Sequence, residues 1–120
     1  MAYVQPLAPG FRYGLGKISG PGATGQLVRI SGDNVLTVND DPAERSFGLL
    51  EKVNKDGELC GVFCLGGIYE TDVFVGSPAP GDELACDAAS GKLKVRGQGE
   101  FAVGEVIAAG SGFLRFKLLV

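Results

Sequence analysis

Turn signals in the second half of the chain lie so close together that only short strands fit between them. Pro80-Gly81-Asp82 precedes a short alternating segment, and Ser90-Gly91 reverses the chain into another, at residues 93–96. The same spacing continues through Gly97-Gln98-Gly99 and Gly110-Ser111-Gly112. Short strands joined by tight turns are typical of compact antiparallel barrels and sandwiches, and not of scaffolds with a deep cleft.

Glycine is the residue in which the composition departs most from an ordinary globular chain. It fills 20 of the 120 positions, more than twice its usual share of about 7%. No collagen-like period accompanies it, so the excess belongs to turns and irregular backbone. The length suits one domain. We therefore predict an all-β protein with an extended Gly/Pro-rich arm over residues 1–25 and a single β-rich domain over residues 26–120.

Hydrophobic alternation and turn residues predict a series of short strands in the body. These strands cover residues 26–30, 35–38, 46–53, 58–65, 68–75, 83–86, 93–96, 101–108 and 113–120. Asn54-Lys55-Asp56-Gly57 predicts a hairpin turn, and Gly66-Gly67 is expected to open a new strand. Asp41-Pro42, with Glu44 shortly after, predicts at most one short helical turn.

Two of the predicted strands have clear faces. In the strand that starts at residue 68, Tyr69 and Thr71 share one face, opposite Ile68 and Glu70, as in an antiparallel sheet with one wet side. In the last strand the alternation predicts a core face, formed by Leu114, Phe116 and Leu118.

The first 25 residues show neither helical nor strand periodicity. They contain three prolines and six glycines, and also four large apolar residues that could serve as anchors. These anchors are Tyr3, Leu7, Phe11 and Tyr13. Four such residues are too many for a simple solvated tail. Two interpretations stay open: the arm becomes ordered on a partner, or it packs on its own body.

Charge is distributed unevenly between the two ends of the chain. The net charge is −3, which argues against nucleic acid, because that partner requires a basic stripe. Up to Gly32 the chain has three basic residues and no acidic one, whereas the remainder has eight basic and 14 acidic residues. Either the asymmetry is chance in a short segment, or the arm and the body have different partners.

The three cysteines do not predict a disulfide framework. Cys60 and Cys64 are four apart on a predicted strand, about 13 Å from each other, which is too far for a bond between them. Cys86 could pair with either, but buried thiols in a reducing compartment are the favoured interpretation. No apolar run approaches the length of about 18 residues that a membrane-spanning helix requires. We expect a protein made in the cytoplasm that does not contact a membrane.

The sequence offers little for catalysis or for binding a cofactor. Histidine is absent, which removes the commonest general base and metal ligand. Cys60, Cys64 and Cys86 lack the fourth soft ligand of a zinc site. Residues 20–25 have the glycine spacing of a phosphate loop, but Gln26 stands where lysine is needed. We predict no cofactor.

Carboxylates are the remaining candidates for chemistry. Asp40 and Asp41, with Glu44 nearby, could gather a divalent cation, yet no regular loop of oxygen ligands follows. A capping role for this cluster is favoured. Glu70 and Asp72 share a strand face as acid/base pairs do, but a solvated surface explains them as well. We predict no metal site, no catalytic residue and no enzyme.

Several segments resemble small phage capsid decoration proteins, also called cement proteins. The resemblance rests on Pro80-Gly81-Asp82-Glu83-Leu84, then Ala88-Ala89-Ser90-Gly91-Lys92-Leu93, then Val103-Gly104-Glu105-Val106 and a closing strand. Phe47-Gly48-Leu49-Leu50 and Gly66-Gly67-Ile68-Tyr69 fit the same plan. The likeness covers residues 45–120, and its motifs are turn signals.

This resemblance implies a fold, a partner and a location. The fold is a compact antiparallel β-barrel or β-sandwich of a β-tulip-like kind, on the outer capsid surface of a virion. The protein would be a homotrimer at three-fold positions whose arm contacts the major capsid protein and stabilises the head. An unpaired arm would suit augmentation of a capsid strand. The side chains expected at this contact are Tyr3, Leu7, Phe11, Arg12, Tyr13, Lys17 and Arg29.

A different class of function also fits the sequence. The body could be a non-catalytic β-barrel binding module, such as a tail or baseplate component or a carbohydrate-binding domain. Sugar recognition uses exposed aromatic platforms, and this chain has no tryptophan and only three tyrosines.

The capsid interpretation predicts the effect of removing the arm. Deletion of residues 1–25 should leave a folded body that no longer binds expanded capsids.

Overall fold

The computed structural model describes residues 2–54 and 58–120. Regular structure in these two ranges consists of nine strands and no helix, which confirms the all-β prediction. The strands, numbered in chain order, are β1 (Val4–Ile18), β2 (Leu27–Gly32), β3 (Val35–Val38), β4 (Gly48–Val53), β5 (Leu59–Thr71), β6 (Glu83–Cys86), β7 (Leu93–Val95), β8 (Gly104–Gly110) and β9 (Phe113–Leu118).

The first five strands form a closed barrel. All the strands belong to one sheet in the order β1-β3-β2-β4-β5-β9-β8-β6-β7. β1 pairs antiparallel with β5 and, at Lys17 and Ile18, parallel with β3. Because β1 has a partner on each side, β1, β3, β2, β4 and β5 complete a ring.

β5 continues beyond this barrel and begins the second half of the molecule. Its residues 68–71 pair with β9, and β8, β6 and β7 follow in the sheet. The chain just after β5 then meets β7: Phe74 forms a parallel bridge with Leu93, and the Val75 amide donates to the Leu93 carbonyl at 2.9 Å. The protein is therefore built from two curved halves that share β5.

A wall made of β2, β4 and the start of β5 is apolar on both faces. The larger core takes one face of this wall and includes Leu27, Leu49 and Phe63. The barrel core takes the opposite face and includes Val28, Leu50 and Val62. Neighbouring residues in one strand thus face different cores, which explains the uninterrupted apolar pairs and triplets in this part of the sequence.

The predicted arm packs on its own body. Its residues 4–18 are β1, so the arm is not unpaired: β5 occupies one of its edges. Its sequence lacks alternation because the pairing shifts register between Pro6 and Ala8, between Pro9 and Phe11, and after Tyr13, and each shift changes which side chains face inward. Since loss of β1 would open the barrel, we expect a chain without residues 1–25 to lose the barrel rather than keep a folded body.

The prediction that a new strand opens at Gly66-Gly67 is wrong. β5 runs without interruption through both glycines. Leu65, Gly66 and Gly67 have φ angles of 58°, 83° and 100°, a region in which backbone bends sharply. The bend lies where β5 stops pairing with β4, after Phe63, and before it pairs with β9, at Ile68.

The predicted helical turn is a single tight turn. The Glu44 amide donates to the Asp41 carbonyl at 3.0 Å, and the Asp41 carboxylate accepts the Ala43 amide at 3.0 Å. The Asp41 side chain therefore closes this turn, but residues 42–47 form no helix that it could cap. Of the predicted hairpin at residues 54–57, residues 55–57 lie outside the described residues.

The predicted faces of two strands are confirmed. Tyr69 and Thr71 are fully buried. The core face of β9 is also buried, and it consists of Leu114, Phe116 and Leu118. The three cysteines are buried free thiols, as predicted.

We expect the substitution Leu50→Ala to lower the free energy of unfolding by about 2–5 kcal/mol, because it leaves a cavity in the barrel core. Leu50 is completely buried, whereas Leu15 of β1 is 68% exposed. The control Leu15→Ala should change the same quantity by less than about 0.5 kcal/mol. Urea unfolding measures both, and equal effects would contradict the assignment of Leu50 to a packed core.

Candidate functional site

An open groove of about 690 Å³ lies beside β1 on the outside of the protein. Its walls come from β1, the end of β2, the loop before β4, the bend of β5 and the last residue of the chain. The apolar lining residues are Phe11, Tyr13, Ile30, Phe47, Leu65 and Val120. We call this feature the mouth groove.

Strand alternation explains why the mouth groove is apolar. Val28 and Val62 face the barrel core, and Ile30, two residues beyond Val28 on β2, continues the same face. Tyr13 is paired with Val62, and Phe11 lies two residues before Tyr13 on β1. The groove is therefore the barrel core continued past the last complete ring of strands, so it is the open end of the barrel.

Three large apolar side chains of the mouth groove are exposed to solvent. Phe11 is 69% exposed, Ile30 61% and Leu65 71%. They come from three different strands and meet only in the folded chain. A cluster of this kind on one surface is typical of a docking site for another molecule.

Leu65 is held in a backbone conformation that leucine rarely adopts. Its φ is 58°, in the left-handed region, where a bulky side chain costs about 1–2 kcal/mol. Burial of the side chain does not compensate for this cost, because Leu65 is exposed to solvent where it lines the groove. Strain at an exposed apolar residue is more typical of a functional position than of a structural one.

Gly10 and Tyr69 hold the bend of β5 against β1. A Cβ on Gly10 would lie 2.5 Å from the Leu65 carbonyl oxygen, so only glycine permits this approach. The Tyr69 hydroxyl accepts from the Gly10 amide at 3.2 Å and donates to the Gly66 carbonyl at 3.1 Å. Burial raises the pKa of Tyr69 above its ordinary value.

The mouth groove extends along β1 towards the tip of the hairpin formed by β2 and β3. A second depression of about 430 Å³ shares Tyr13, Ile30 and Phe47 with it and reaches Asn34. The Asn34 side chain accepts from the Tyr13 hydroxyl and donates to the Leu15 carbonyl at 2.9 Å. Asn34 therefore fixes the distance between β1 and the hairpin tip.

Two arginines at the groove have partners outside it. The Arg12 guanidinium crosses Gly61 and donates to the Glu51 carboxylate on β4. The Arg45 guanidinium lies 5.6 Å from the centre of the Phe101 ring, at cation–π distance. Both guanidinium groups are therefore held by residues that do not line the groove.

The structure brings together three of the seven residues that the sequence marked as contact candidates. Phe11, Arg12 and Tyr13 line the mouth groove. The other four lie away from its lining: Tyr3 and Leu7 nearer the start of β1, Lys17 where β1 meets β3, and Arg29 on β2 with its guanidinium 3.9 Å from Asp40.

Sequence reasoning missed the residues that face β1 across the groove. Ile30 could have been identified, because it continues the alternation of Val28 on β2. Leu65 had no local signal, since a leucine before two glycines looks like the end of a strand. Phe47 and Val120 reach the groove only through tertiary packing.

Tyr3 anchors the start of β1 instead of facing the groove. Its amide donates to the Asp72 carboxylate at 2.8 Å, and its carbonyl accepts from the buried Thr71 hydroxyl at 2.7 Å. Its hydroxyl donates to Glu70 at 2.9 Å, and Arg115 donates to the other Glu70 oxygen at 2.9 Å. The bonds from Arg115 and Tyr3 lower the pKa of Glu70, and the bond to Glu70 raises the pKa of Tyr3.

The three cysteines are buried rather than exposed at this surface, and Cys64 is the one that lies in the groove lining. Burial raises the pKa of the Cys86 thiol to about 12, and its Sγ donates to the Asn39 carbonyl at 2.9 Å. In residues 2–54 and 58–120, no group of three or more His, Cys, Asp or Glu side chains could hold a metal ion. Within the same ranges no helix is long and apolar enough to cross a membrane.

Comparison with known proteins gives no match to this chain, whether with protein-family models, curated proteins or solved structures. The resemblance to decoration proteins thus rests on the turn motifs of residues 45–120. The functional interpretation depends on the geometry of the mouth groove.

We expect Leu65→Asn to leave the free energy of unfolding unchanged or to raise it by up to about 1 kcal/mol, because asparagine tolerates the left-handed backbone. The comparison variant Leu65→Val places a β-branched residue there and should be less stable than Leu65→Asn by about 1–2 kcal/mol. Thermal and urea unfolding measure both. If Leu65→Asn were the less stable of the two, the exposed side chain would contribute to folding.

We expect acidification to weaken the anchor of β1 through Glu70. Because the pKa of Glu70 is lowered in the folded protein, its stabilising contribution is present above the usual value of 4.5 and disappears as the pH falls through the lowered value. Wild-type protein should therefore lose more stability below pH 4.5 than Glu70→Gln. Urea unfolding at a series of pH values tests this, and parallel profiles for the two proteins would rule it out.

Proposed function

We propose that this chain is a structural protein that binds the outer surface of a phage capsid and stabilises the head, as a homotrimer at three-fold positions. It would be made in the host cytoplasm and end in the virion, with the major capsid protein as its partner. The turn motifs of residues 45–120 support this proposal through their resemblance to decoration proteins.

The mouth groove is the observation that carries the proposal. Phe11, Ile30 and Leu65 expose large apolar surfaces side by side, and such surfaces become favourable only when a partner covers them. Leu65 is exposed despite its strained backbone. These features favour a protein that functions by binding another macromolecule through this groove.

The rest of the surface is compatible with a component repeated many times on a shell. The second half of the molecule has its own exposed apolar side chains, which could serve contacts between copies: Val95, Phe101, Ile107 and Leu119. Weak contacts that are repeated over an icosahedral lattice add up through multivalency. The net charge of −3 helps to keep decorated particles soluble.

We expect the intact protein to co-sediment with expanded capsids of the phage that encodes it and to add knobs of density at their three-fold positions. Electron cryomicroscopy of capsids with and without the protein measures this, and light scattering should give three times the mass of one chain. Decorated capsids should also release DNA at a higher temperature. Absence of co-sedimentation at saturating protein would rule out the proposal.

A non-catalytic binding module is the second candidate, and the position of the mouth groove favours it. Open ends of barrels are common places for small ligands, and about 690 Å³ is within the usual range of 300–1,000 Å³ for ligand sites. Three aromatic rings line the groove, from Phe11, Tyr13 and Phe47. Saturable binding on a glycan array, without capsid binding, would support this candidate over the first.

A further inference from the structure

One edge of β1 has no strand beside it along most of its length. β1 pairs with β5 from Val4 to Lys17, but with β3 only at Lys17 and Ile18. Among the residues that the structure describes, the second edge of residues 4–16 therefore has no strand partner. Backbone groups on such an edge are able to pair with an added strand.

The mouth groove runs beside this free edge. β3 is the strand that pairs with this edge of β1, at Lys17 and Ile18. Before Lys17 the two strands are no longer paired, and the second depression, which Tyr13 and Val35 line, lies between them. The groove continues to Phe11 and Leu65. Residues 11–16 of β1 extend over about 17 Å, the length of a partner strand of about six residues. Within them the Leu15 carbonyl already accepts from the Asn34 side chain at 2.9 Å, so a partner strand would pair with the other backbone groups of this part of the edge.

Prolines restrict where a strand can be added. Pro6 and Pro9 lie in the first part of β1, and proline lacks the amide hydrogen that a ladder requires. Residues 11–16 contain no proline, and their only charged side chain, Arg12, is bound to Glu51 across Gly61. The part of the edge that can accept a strand is thus the part beside the apolar groove.

We infer that the mouth groove binds an extended peptide strand of the partner, which pairs with residues 11–16 of β1 and places alternate apolar side chains against the groove lining, which includes Phe11, Ile30 and Leu65. An extended peptide supplies both main-chain hydrogen bonds and side chains at the required spacing. A helix or a compact apolar ligand would fill the groove but leave the backbone edge unpaired. Assignment of this strand to the capsid rests on the proposed function, whereas the chemistry of the groove does not.

The first test uses capsids and a matched set of variants. Ile30→Thr combined with Leu65→Asn removes two apolar side chains of the groove lining, and the control Leu59→Thr removes an exposed apolar side chain at the start of β5. We expect the double variant to bind capsids at least about tenfold more weakly than wild type, and the control to bind like wild type. In the bound wild type, amide hydrogens of residues 11–16 should exchange at least about tenfold more slowly than in the free protein.

The outcomes separate this inference from the proposed function. Undiminished capsid binding by the double variant, or unchanged amide exchange at residues 11–16 in the bound state, overturns the strand and leaves capsid binding in place. If wild type binds no capsid, the proposed function fails, and the groove is then tested on the free protein.

The second test uses a capped peptide of alternating valine and threonine with lysine at both ends, and the same peptide with N-methyl groups along one edge. We expect the first peptide to shift the amide resonances of residues 11–16 in a saturable manner, and Leu65→Asn to weaken this binding. The methylated peptide should bind at least about tenfold more weakly, because it cannot complete the ladder. Equal binding of the two peptides, or binding of neither, overturns the inference.

Discussion

Burial of one wall on both faces is the constraint on which the rest of this structure depends. Leu49 and Leu50 are consecutive on β4 and belong to different cores, so the barrel and the second half share this wall. β5 must leave the wall to join β9, and the bend at Leu65 is the place where it does so. The mouth groove follows from that departure, because the barrel core continues past its last ring of strands with nothing above it.

β1 closes the barrel and, in the proposed function, also carries the binding surface. The first role requires the strand to stay bound, and the second requires one of its edges to stay open. The structure separates the roles along the strand: Tyr3 is fixed to Thr71 and to two carboxylates at one end, and Lys17 and Ile18 pair with β3 at the other. Register shifts between these ends allow β1 to follow the curved surface of β5 while Phe11 remains exposed.

The sequence predicted the strands and faces that depend on local patterns. It did not predict the features that depend on tertiary packing. Alternation identified the core face of β9, and turn residues placed the strands at residues 35–38 and 83–86 with the observed bounds. Register shifts concealed β1, since each shift breaks the two-residue period. Two consecutive glycines were interpreted as the start of a new strand, whereas they give β5 positive φ angles without interrupting it. Phe11 and Tyr13 were found because large apolar residues are unexpected in a Gly/Pro-rich arm, but Leu65 could be found only from its backbone and its exposure.

Leu65 shows why folding alone does not account for the groove. Glycine or asparagine at this position would relieve the left-handed strain, and a polar side chain would remove exposed apolar surface. Leucine keeps the backbone strain and the exposed apolar surface, and no burial compensates for them, because its side chain is exposed. Local choices in a natural sequence usually agree with the fold, and disagreements gather at functional positions. Leu65, which lines the mouth groove together with Phe11, therefore agrees better with the docking site proposed for this surface than with a role in folding.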